Sequence, residues 1–502
     1  MINPTQEQQK IIEAVASGRT IKVAALAGTG KTSTLAMIAN AYPERKGLYL
    51  AYNKALQIEA KRKFPYWVTC KTMHGLAYPT TGIMFNDQLK LKINYDEVIN
   101  QLEISRLIAR VDMGLNEIVH VELTPSRILS ICRSIVRHFQ YQADEEINIK
   151  NSLSLIEYEI KKFYPELSFS SHNKDEKREK INNFYQNLSY TLLNYSRDLW
   201  RLQKSPSSKI VPADHDTYLK LYQLKKPIID QYDYIMLDES QDANGCLLDI
   251  ILNQNCQIIY VGDEYQQIYG YRGTTNAMKS VEGSTLYLTQ SFRFGKAIAN
   301  KANEILHELK SDVNLKGLSS ITSKIEDINK PPYTYLARTN STLFDRYIDA
   351  VSSGLKCSLA TNVEDTVRLL TAMYFLWNDK KNEVRDDSVS VFKKWEDLVA
   401  FADNEKDQDL LNGIKFIDTH QSKTLDMINI IRQSSKIKED QADIIFTTAH
   451  KAKGREWNQV KLADDFNYSK SDSEKNLYYV ALTRAKISLD CSNSQRTNEG
   501  MR

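Results

Sequence analysis

Two stretches of the sequence have the residue types and spacing to handle a triphosphate. In the first, the apolar run Ile21–Leu26 leads into Ala27-Gly28-Thr29-Gly30-Lys31-Thr32, and a helical pattern runs from Ser33 to Asn40. Strand, glycine-bearing loop and helix is the order that a phosphate-binding loop requires. The glycines let backbone N–H groups turn onto phosphate oxygens, and the helix N-terminus adds partial positive charge. Lys31 suits the terminal phosphates, and the Thr32 hydroxyl suits a Mg2+ position. Ala25 stands where such a loop usually has its first glycine. In the second stretch, apolar Tyr234–Leu237 delivers Asp238 and Glu239 to a strand end, where ligands collect in open α/β sheets. Asp238 suits a metal shell, and Glu239 suits orienting and deprotonating a water. An acidic pair at a strand end is often just a turn. Paired with a phosphate loop about 200 residues earlier, it predicts ATP hydrolysis.

Such residues need a scaffold that brings them together. Short apolar runs at Ile21–Leu26, Leu48–Tyr52, Tyr234–Leu237, Gln257–Val261, Leu286–Leu288, Tyr333–Ala337, Asp443–Phe446 and Val460–Ala463 read as buried parallel strands. Most run into a helical pattern, which predicts an α/β fold of doubly wound type. They fall into two clusters, one ending near residue 272 and the other starting near 285. The expected domains are 1–85 with 206–280, carrying a helical insertion at 86–205, and 281–350 with 441–502, carrying a smaller one at 351–440. Inside the first insertion, the charge-dense Ser171–Lys180 reads as a solvated face.

The 502 residues predict three or four folding units. Lys and Arg number 66 against 63 Asp and Glu, a net +3. That balance excludes an acidic tail protein and a histone-like binder, but a basic groove can hide inside it. The six cysteines lack paired spacing, which predicts buried thiols rather than disulfides, a zinc ribbon or an iron–sulfur cluster. No apolar leader or membrane-length run is visible, so the expected location is cytoplasmic, or nuclear in a eukaryote. Tyrosine is over-represented, 28 against 15 Phe. Since a buried hydroxyl needs a partner, many rings are expected to be half exposed.

Further motifs follow in order: Val261-Gly-Asp-Glu-Tyr-Gln-Gln-Ile-Tyr-Gly-Tyr-Arg-Gly273, Leu288-Thr-Gln-Ser-Phe-Arg293, Ala337-Arg-Thr-Asn340, Thr447-Thr-Ala-His-Lys-Ala-Lys-Gly-Arg-Glu-Trp457 and Asn476-Leu-Tyr-Tyr-Val-Ala-Leu-Thr-Arg-Ala-Lys486. The series resembles the UvrD/Rep-like helicases of superfamily 1. Within them, His215–Lys220 and Leu288–Phe294 look closest to the branch that carries an F-box. The resemblance runs from Gln8 to Lys486 and is weak in the two insertions. It implies two RecA-like parallel-sheet motor domains with ATP and Mg2+ between them.

Roles implied by the resemblance attach to matching residues. Gln8 corresponds to the adenine-reading glutamine and Phe292 to the aromatic stacked on the base. Arg293 and Arg484 correspond to the arginines that reach the γ-phosphate, Gln266 to its sensor, and Glu456 to the acid on the ribose. The implied DNA contacts are Tyr52, Asn53 and Lys54; Thr72 and His74; Tyr271 and Arg272; and Arg338, Asn340, Thr448 and His450. Taken singly, most have plainer readings: Phe292 as core, the arginines as salt-bridge residues, the histidines as buried structural groups, Lys54 as a solvated lysine.

The implied activity is ATP-dependent translocation on single-stranded DNA and unwinding of tailed duplexes, 3′ to 5′. The settings expected are DNA repair, recombination control or anti-phage defence. The alternative is an ATP-gated DNA sensor that recruits a nuclease, effector or recombinase partner. The adenine motif begins within ten residues of Met1, and sixteen residues follow Lys486. Neither an F-box nor a nuclease domain is therefore expected, and the small second insertion makes unwinding less expected than translocation.

Overall fold

The computed structural model describes residues 3–494 apart from 115–116, 168–174, 269–277, 279–280, 361–362, 391, 406, 435–436 and 470. Its frame is a pair of six-stranded sheets in which every pairing is parallel. The strands are β1 (Ile21–Ala25), β2 (Gly47–Ala51), β3 (Val68–Thr72), β4 (Leu107–Gly114), β5 (Glu117–Leu123), β6 (Tyr234–Leu237), β7 (Gln257–Gly262), β8 (Ser284–Leu288), β9 (Lys324–Ile325), β10 (Tyr333–Ala337), β11 (Cys357–Leu359), β12 (Ile444–Thr448), β13 (Trp457–Leu462) and β14 (Ala485–Asp490).

The first sheet has the order β3-β2-β6-β7-β1-β8, and the second β11-β12-β10-β13-β14-β9. The unbroken apolar run of β6 follows from burial on both faces. Ile235 and Leu237 pack into one core layer, while Tyr234 and Met236 pack into the layer opposite with the helices Gln6–Val15 and Lys31–Ala41. These are the two RecA-like parallel-sheet domains expected of the sequence.

Three details differ from the sequence reading. Residues 284–288, grouped with the second cluster, pair with β1 in the first sheet, Ile21 opposite Ser284 and Ala25 opposite Leu288. Only Leu288 of that edge strand is fully buried, so composition gave no cue to its sheet. The chain leaves the first sheet after Leu288 and enters the second domain with the helix Lys296–Glu308. Second, β11, inside the span read as insertion, is an edge of the second sheet against β12. Third, β3, β9 and β14, and β4 and β5 inside the insertion read as helical, are strands that the apolar runs do not mark; β14 (Ala-Lys-Ile-Ser-Leu-Asp) alternates and has no apolar run.

The first insertion packs the helices Pro125–Tyr141, Ile149–Lys161 and Asp175–Gln203 around its own core, against the antiparallel hairpin β4–β5. The Ser171–Lys180 segment lies partly outside the described residues. The second insertion is helical, with its own core around Met373, Phe401 and Ile417. Tyr158 of the first donates 2.8 Å to Asp407 of the second. Among the described residues no helix is long and apolar enough to cross a membrane.

Many tyrosine rings are half exposed as expected, among them Tyr42, Tyr78, Tyr95, Tyr265 and Tyr374, but a second group is fully buried. Tyr49, Tyr185, Tyr234, Tyr260, Tyr347, Tyr478 and Tyr479 are among the largest fully buried side chains. Several of their hydroxyls have specific partners, two of them in the cleft described next.

Candidate active site

The first-sheet residues expected to handle a triphosphate lie at the C-terminal ends of its strands. After β1, Gly28 and Gly30 adopt φ of +72° and +77°, values that cost a side chain strain. A Cβ on Gly28 would also lie 2.6 Å from Ser291 Oγ and 2.7 Å from Arg293 Cβ. The helix Lys31–Ala41 has no side-chain cap at its N-terminus, so its first N–H groups are offered to a ligand.

β6 runs beside β2 with Tyr49 opposite Met236. This places the Tyr49 hydroxyl 2.6 Å from Asp238 Oδ2, to which it donates. Thr32 Oγ1 lies 3.4 Å from the same oxygen. Glu239 holds a left-handed φ of +51°, an uncommon conformation for a side-chain-bearing residue and one that collects at functional sites. Lys31 Nζ pairs with its Oε1 at 2.9 Å, and Gln241 Nε2 donates to its Oε2 at 2.6 Å. Burial pushes the Glu239 carboxyl up, but Lys31 and then Lys453 outweigh it and bring it to about 2. Asp238 moves the other way, raised by burial and by Glu239. After β7, burial pushes Asp263 up to about 6 despite Lys31 and its bond from Gln266 Nε2 at 2.7 Å.

The second domain closes over these groups. Tyr479, on the helix Asp472–Leu482, accepts from the Ala27 backbone N–H at 3.1 Å and donates to Asp263 Oδ2 at 3.2 Å. Lys453 Nζ donates 2.6 Å to the Gln266 carbonyl and pairs with Asp242. Arg484 is 1% exposed. Its guanidinium donates to the carbonyls of Val480 (2.9 Å) and Arg455 (3.2 Å), to Thr483 Oγ1 (3.1 Å) and to Gln266 Oε1 (3.4 Å). All four acceptors are neutral. Burial, with Arg293 next, lowers its pKa to about 9. Arg293 donates to Glu456 Oε2 at 2.6 Å and to the Thr483 carbonyl at 2.9 Å.

Gln8, Gly30 and Phe292 form one wall. A Cβ on Gly30 would lie 3.4 Å from the Phe292 ring and 3.7 Å from Gln8 Nε2. Gln8 is buried, caps its helix with Thr5 and donates 3.0 Å to Thr34 Oγ1; Phe292 remains 42% exposed. Lys31, Asp238 and Glu239 thus meet beside the 27–32 loop, with Gln266 against Arg484 and Arg293 against Glu456 at the domain boundary.

The residues expected at DNA are more scattered. Tyr52 (42% exposed) and His74 line a cavity of about 280 Å3 that also touches Asp238 and Glu239. His74 Nε2 lies 3.1 Å from Asp216 Oδ1. Asn53 caps the helix Lys54–Lys63, and Thr72 caps Met73–Ala77. In the second domain Arg338 is held by Glu474 at 2.8–2.9 Å, away from open solvent. Asn340 starts the helix Asn340–Ser352; Thr448 is buried and His450 partly so. Tyr271 and Arg272 lie outside the described residues.

Tyr49, Gln241, Lys453 and Tyr479 were not singled out from sequence. Lys453 and Tyr479 lie inside motifs quoted for the resemblance, and the tyrosine excess was the only signal for Tyr49. Among the described residues no group of three or more His, Cys, Asp or Glu is placed to hold a metal ion.

A phosphate loop and an acid pair on the first sheet, with Arg293 on the segment crossing between the domains and Arg484 beside the second sheet, place the chain in the P-loop class built from two RecA-like domains. An AAA domain model matches residues 8–272, and a UvrD-like helicase C-terminal domain model matches 443–489. F-box DNA helicase 1 of Gallus gallus is 31% identical over 98% of this chain and 49% of its own length. F-box DNA helicase protein 1 of Schizosaccharomyces pombe is 29% identical over 96% and 56%. ATP-dependent DNA helicase PcrA of Staphylococcus epidermidis is 25% identical over 36% and 27%. The chain spans about half the length of the two F-box relatives. It belongs to the UvrD-like superfamily 1 helicase family.

Proposed function

We propose that the chain is an ATP-driven motor that translocates on single-stranded DNA and unwinds tailed duplexes 3′ to 5′. The observation that supports this best is Arg484, a buried cation with only neutral acceptors. Glu239 and Asp263 act on it only through space, and a buried cation without a directly bonded negative charge is costly. A γ-phosphate between Lys31 and Arg484 would supply that charge from across the domain boundary. ATP would thereby favour the closed cleft, and hydrolysis would remove part of that preference.

In this reading the loop 27–32 binds the phosphates, Gln8 and Phe292 hold the adenine, and Glu456 faces the ribose. Glu239 orients and deprotonates the water, Arg293 and Arg484 stabilise charge on the transferring group, and Gln266 reports its presence. Thr32 and Asp238 fit Mg2+, since a hydroxyl and a buried carboxylate converge at 3.4 Å. When bound, the ion neutralises phosphate charge.

Tyr52, Asn53, Lys54, Thr72, His74, Asn340, Thr448 and His450 contact the strand, and Tyr271 and Arg272, outside the described residues, are assigned to it by the resemblance alone. Arg338 positions Glu474 and its helix rather than a phosphate. The settings proposed are repair, recombination control or phage defence, with a nuclease, effector or recombinase as partner. ATPase activity should rise on adding single-stranded DNA, and a 3′-tailed duplex should be displaced in preference to a 5′-tailed one. Turnover unchanged by DNA would sink the motor. DNA-stimulated hydrolysis without displacement of either substrate would favour an ATP-gated sensor.

A further inference from the structure

The stretch from Lys54 to Thr72 has five cations (Lys54, Lys61, Arg62, Lys63, Lys71) and one acid, Glu59. Its net charge exceeds that of the whole chain, which is +3. The fold turns this run into a cleft. The helix Lys54–Lys63 lies on β3, tied down by Gln57 Nε2 donating 2.8 Å to the Cys70 carbonyl. β3 is the outermost strand of the first sheet. It buries Val68 and Cys70, and leaves Thr69 and Lys71 partly exposed. Between helix and strand is a cavity of about 390 Å3 lined by Lys54, Lys61, Lys71, Tyr66, Thr69 and Thr72 among others. Only Lys63 of the five cations is paired, with Glu59; Lys54, Lys61, Arg62 and Lys71 form no ion pair among the described residues.

At its mouth Tyr66 is 95% exposed, the most exposed of the large apolar side chains. It stands edge-on to Trp67 at 5.0 Å, and Trp67 is anchored by donating 3.0 Å to the Ala39 carbonyl. The ring is thus held outside the core instead of folding onto it. Lysines that track a backbone beside an exposed aromatic face form the general pattern of a single-strand site. The cleft adjoins the candidate groove along the chain. Thr72 and Gly75 line it, while Met73 and His74 line the neighbouring cavity that contains Tyr52.

We propose that this cleft is a second DNA site, binding the single strand beyond the motor groove. Lys61 and Lys71 contact phosphates there and Tyr66 stacks on a base. The proposal rests on the reading of the chain as a DNA motor and extends its footprint to the sheet edge.

The test is a length ladder of oligothymidylates, with fluorescence anisotropy at several salt concentrations, on the full chain and on K61Q/K71Q and Y66A. Removing two phosphate contacts should flatten the salt slope by about 1.4 and weaken binding of long oligonucleotides about 25-fold at 0.1 M salt. Oligonucleotides too short to leave the groove should bind as to wild type. Y66A should lose fivefold or more on long oligonucleotides only. DNA-free ATPase activity and melting temperature check that each variant is folded. A ladder and slope unchanged in K61Q/K71Q would overturn the site while leaving the motor intact. A wild-type chain that bound no oligonucleotide would overturn the DNA reading and this site with it.

Discussion

Tyr479 is the sharpest test of the closed cleft, because one hydroxyl links three parts of it. Its oxygen accepts the Ala27 N–H of the phosphate loop and donates to Asp263 at the end of β7, while its backbone belongs to the second domain. Tyr479→Phe removes that oxygen and leaves the ring, which packs edge-on to Tyr265 at 6.4 Å. Asp263 retains the Gln266 amide and the Tyr265 N–H, so it is not orphaned. The buried Ala27 N–H loses its partner. One unsatisfied buried donor costs about 1–3 kcal/mol. Because the bond spans the domain boundary, that cost falls on the closed state, and the closed-to-open ratio should drop about 5- to 150-fold.

If only the closed form grips ATP, the apparent Kd for ATP rises by up to the same factor. Titration with a fluorescent ATP analogue measures this directly, and denaturant unfolding shows whether the loss is confined to the cleft. A Y479F chain with wild-type ATP affinity would refute the view that the hydroxyl holds the domains together. Lower global stability with unchanged nucleotide affinity would make Tyr479 merely a core residue.

Glu239→Gln should bind ATP near wild-type affinity yet hydrolyse it about 10²- to 10⁴-fold more slowly, the usual range for a lost base; near-normal turnover in a steady-state assay would contradict that role. Arg293→Ala should lower kcat by about 10²-fold or more, within reach of the 10³–10⁵ that a trans-acting arginine supplies; a change confined to KM would assign Arg293 to ground-state binding. The Glu239 carboxyl is depressed to about 2, so its ion pair with Lys31 contributes fully above pH 4.5 and is lost as pH falls towards 2. The Tm difference between wild type and E239Q should therefore be constant from about pH 7 to 5 and shrink below that; a difference unchanged down to pH 3 would exclude the ion pair as its source.

The groups proposed for catalysis could be picked out because phosphate chemistry needs a local motif. Lys31 and Glu239 are each fixed by neighbours within a few residues: a left-handed glycine before one and a short apolar strand before the other. The closure was not legible, because it depends on which strands pair. Tyr49 sits within an apolar run and reads as core; its hydroxyl gains meaning only once β2 is in register with β6 and Asp238 lies beside it. Residues 284–288 show the same limit. Three of their five residues face solvent, so nothing in their composition distinguishes an edge of one sheet from the start of the next. That placement matters for the site. The segment carrying Phe292 and Arg293 crosses between the domains, and Phe292 N–H is already fastened 2.8 Å from the Gly28 carbonyl.

The ion pair between Lys31 and Glu239 bears on how the cleft becomes active. A carboxyl near pKa 2 is a weak base, since efficient proton transfer favours a pKa close to the working pH. Its depression comes from Lys31 and Lys453 prevailing over burial. A triphosphate would attract the Lys31 ammonium to its own oxygens and add negative charge close to Glu239. Both changes raise the carboxyl towards the range its burial alone would set. Under the proposed function, arriving nucleotide would do two things together: give Arg484 a directly bonded negative charge and release Glu239 from the lysine that depresses it. On the proposed function, a cleft built this way would suppress water activation until the phosphates are in place, and would couple that release to contacts made from the second domain.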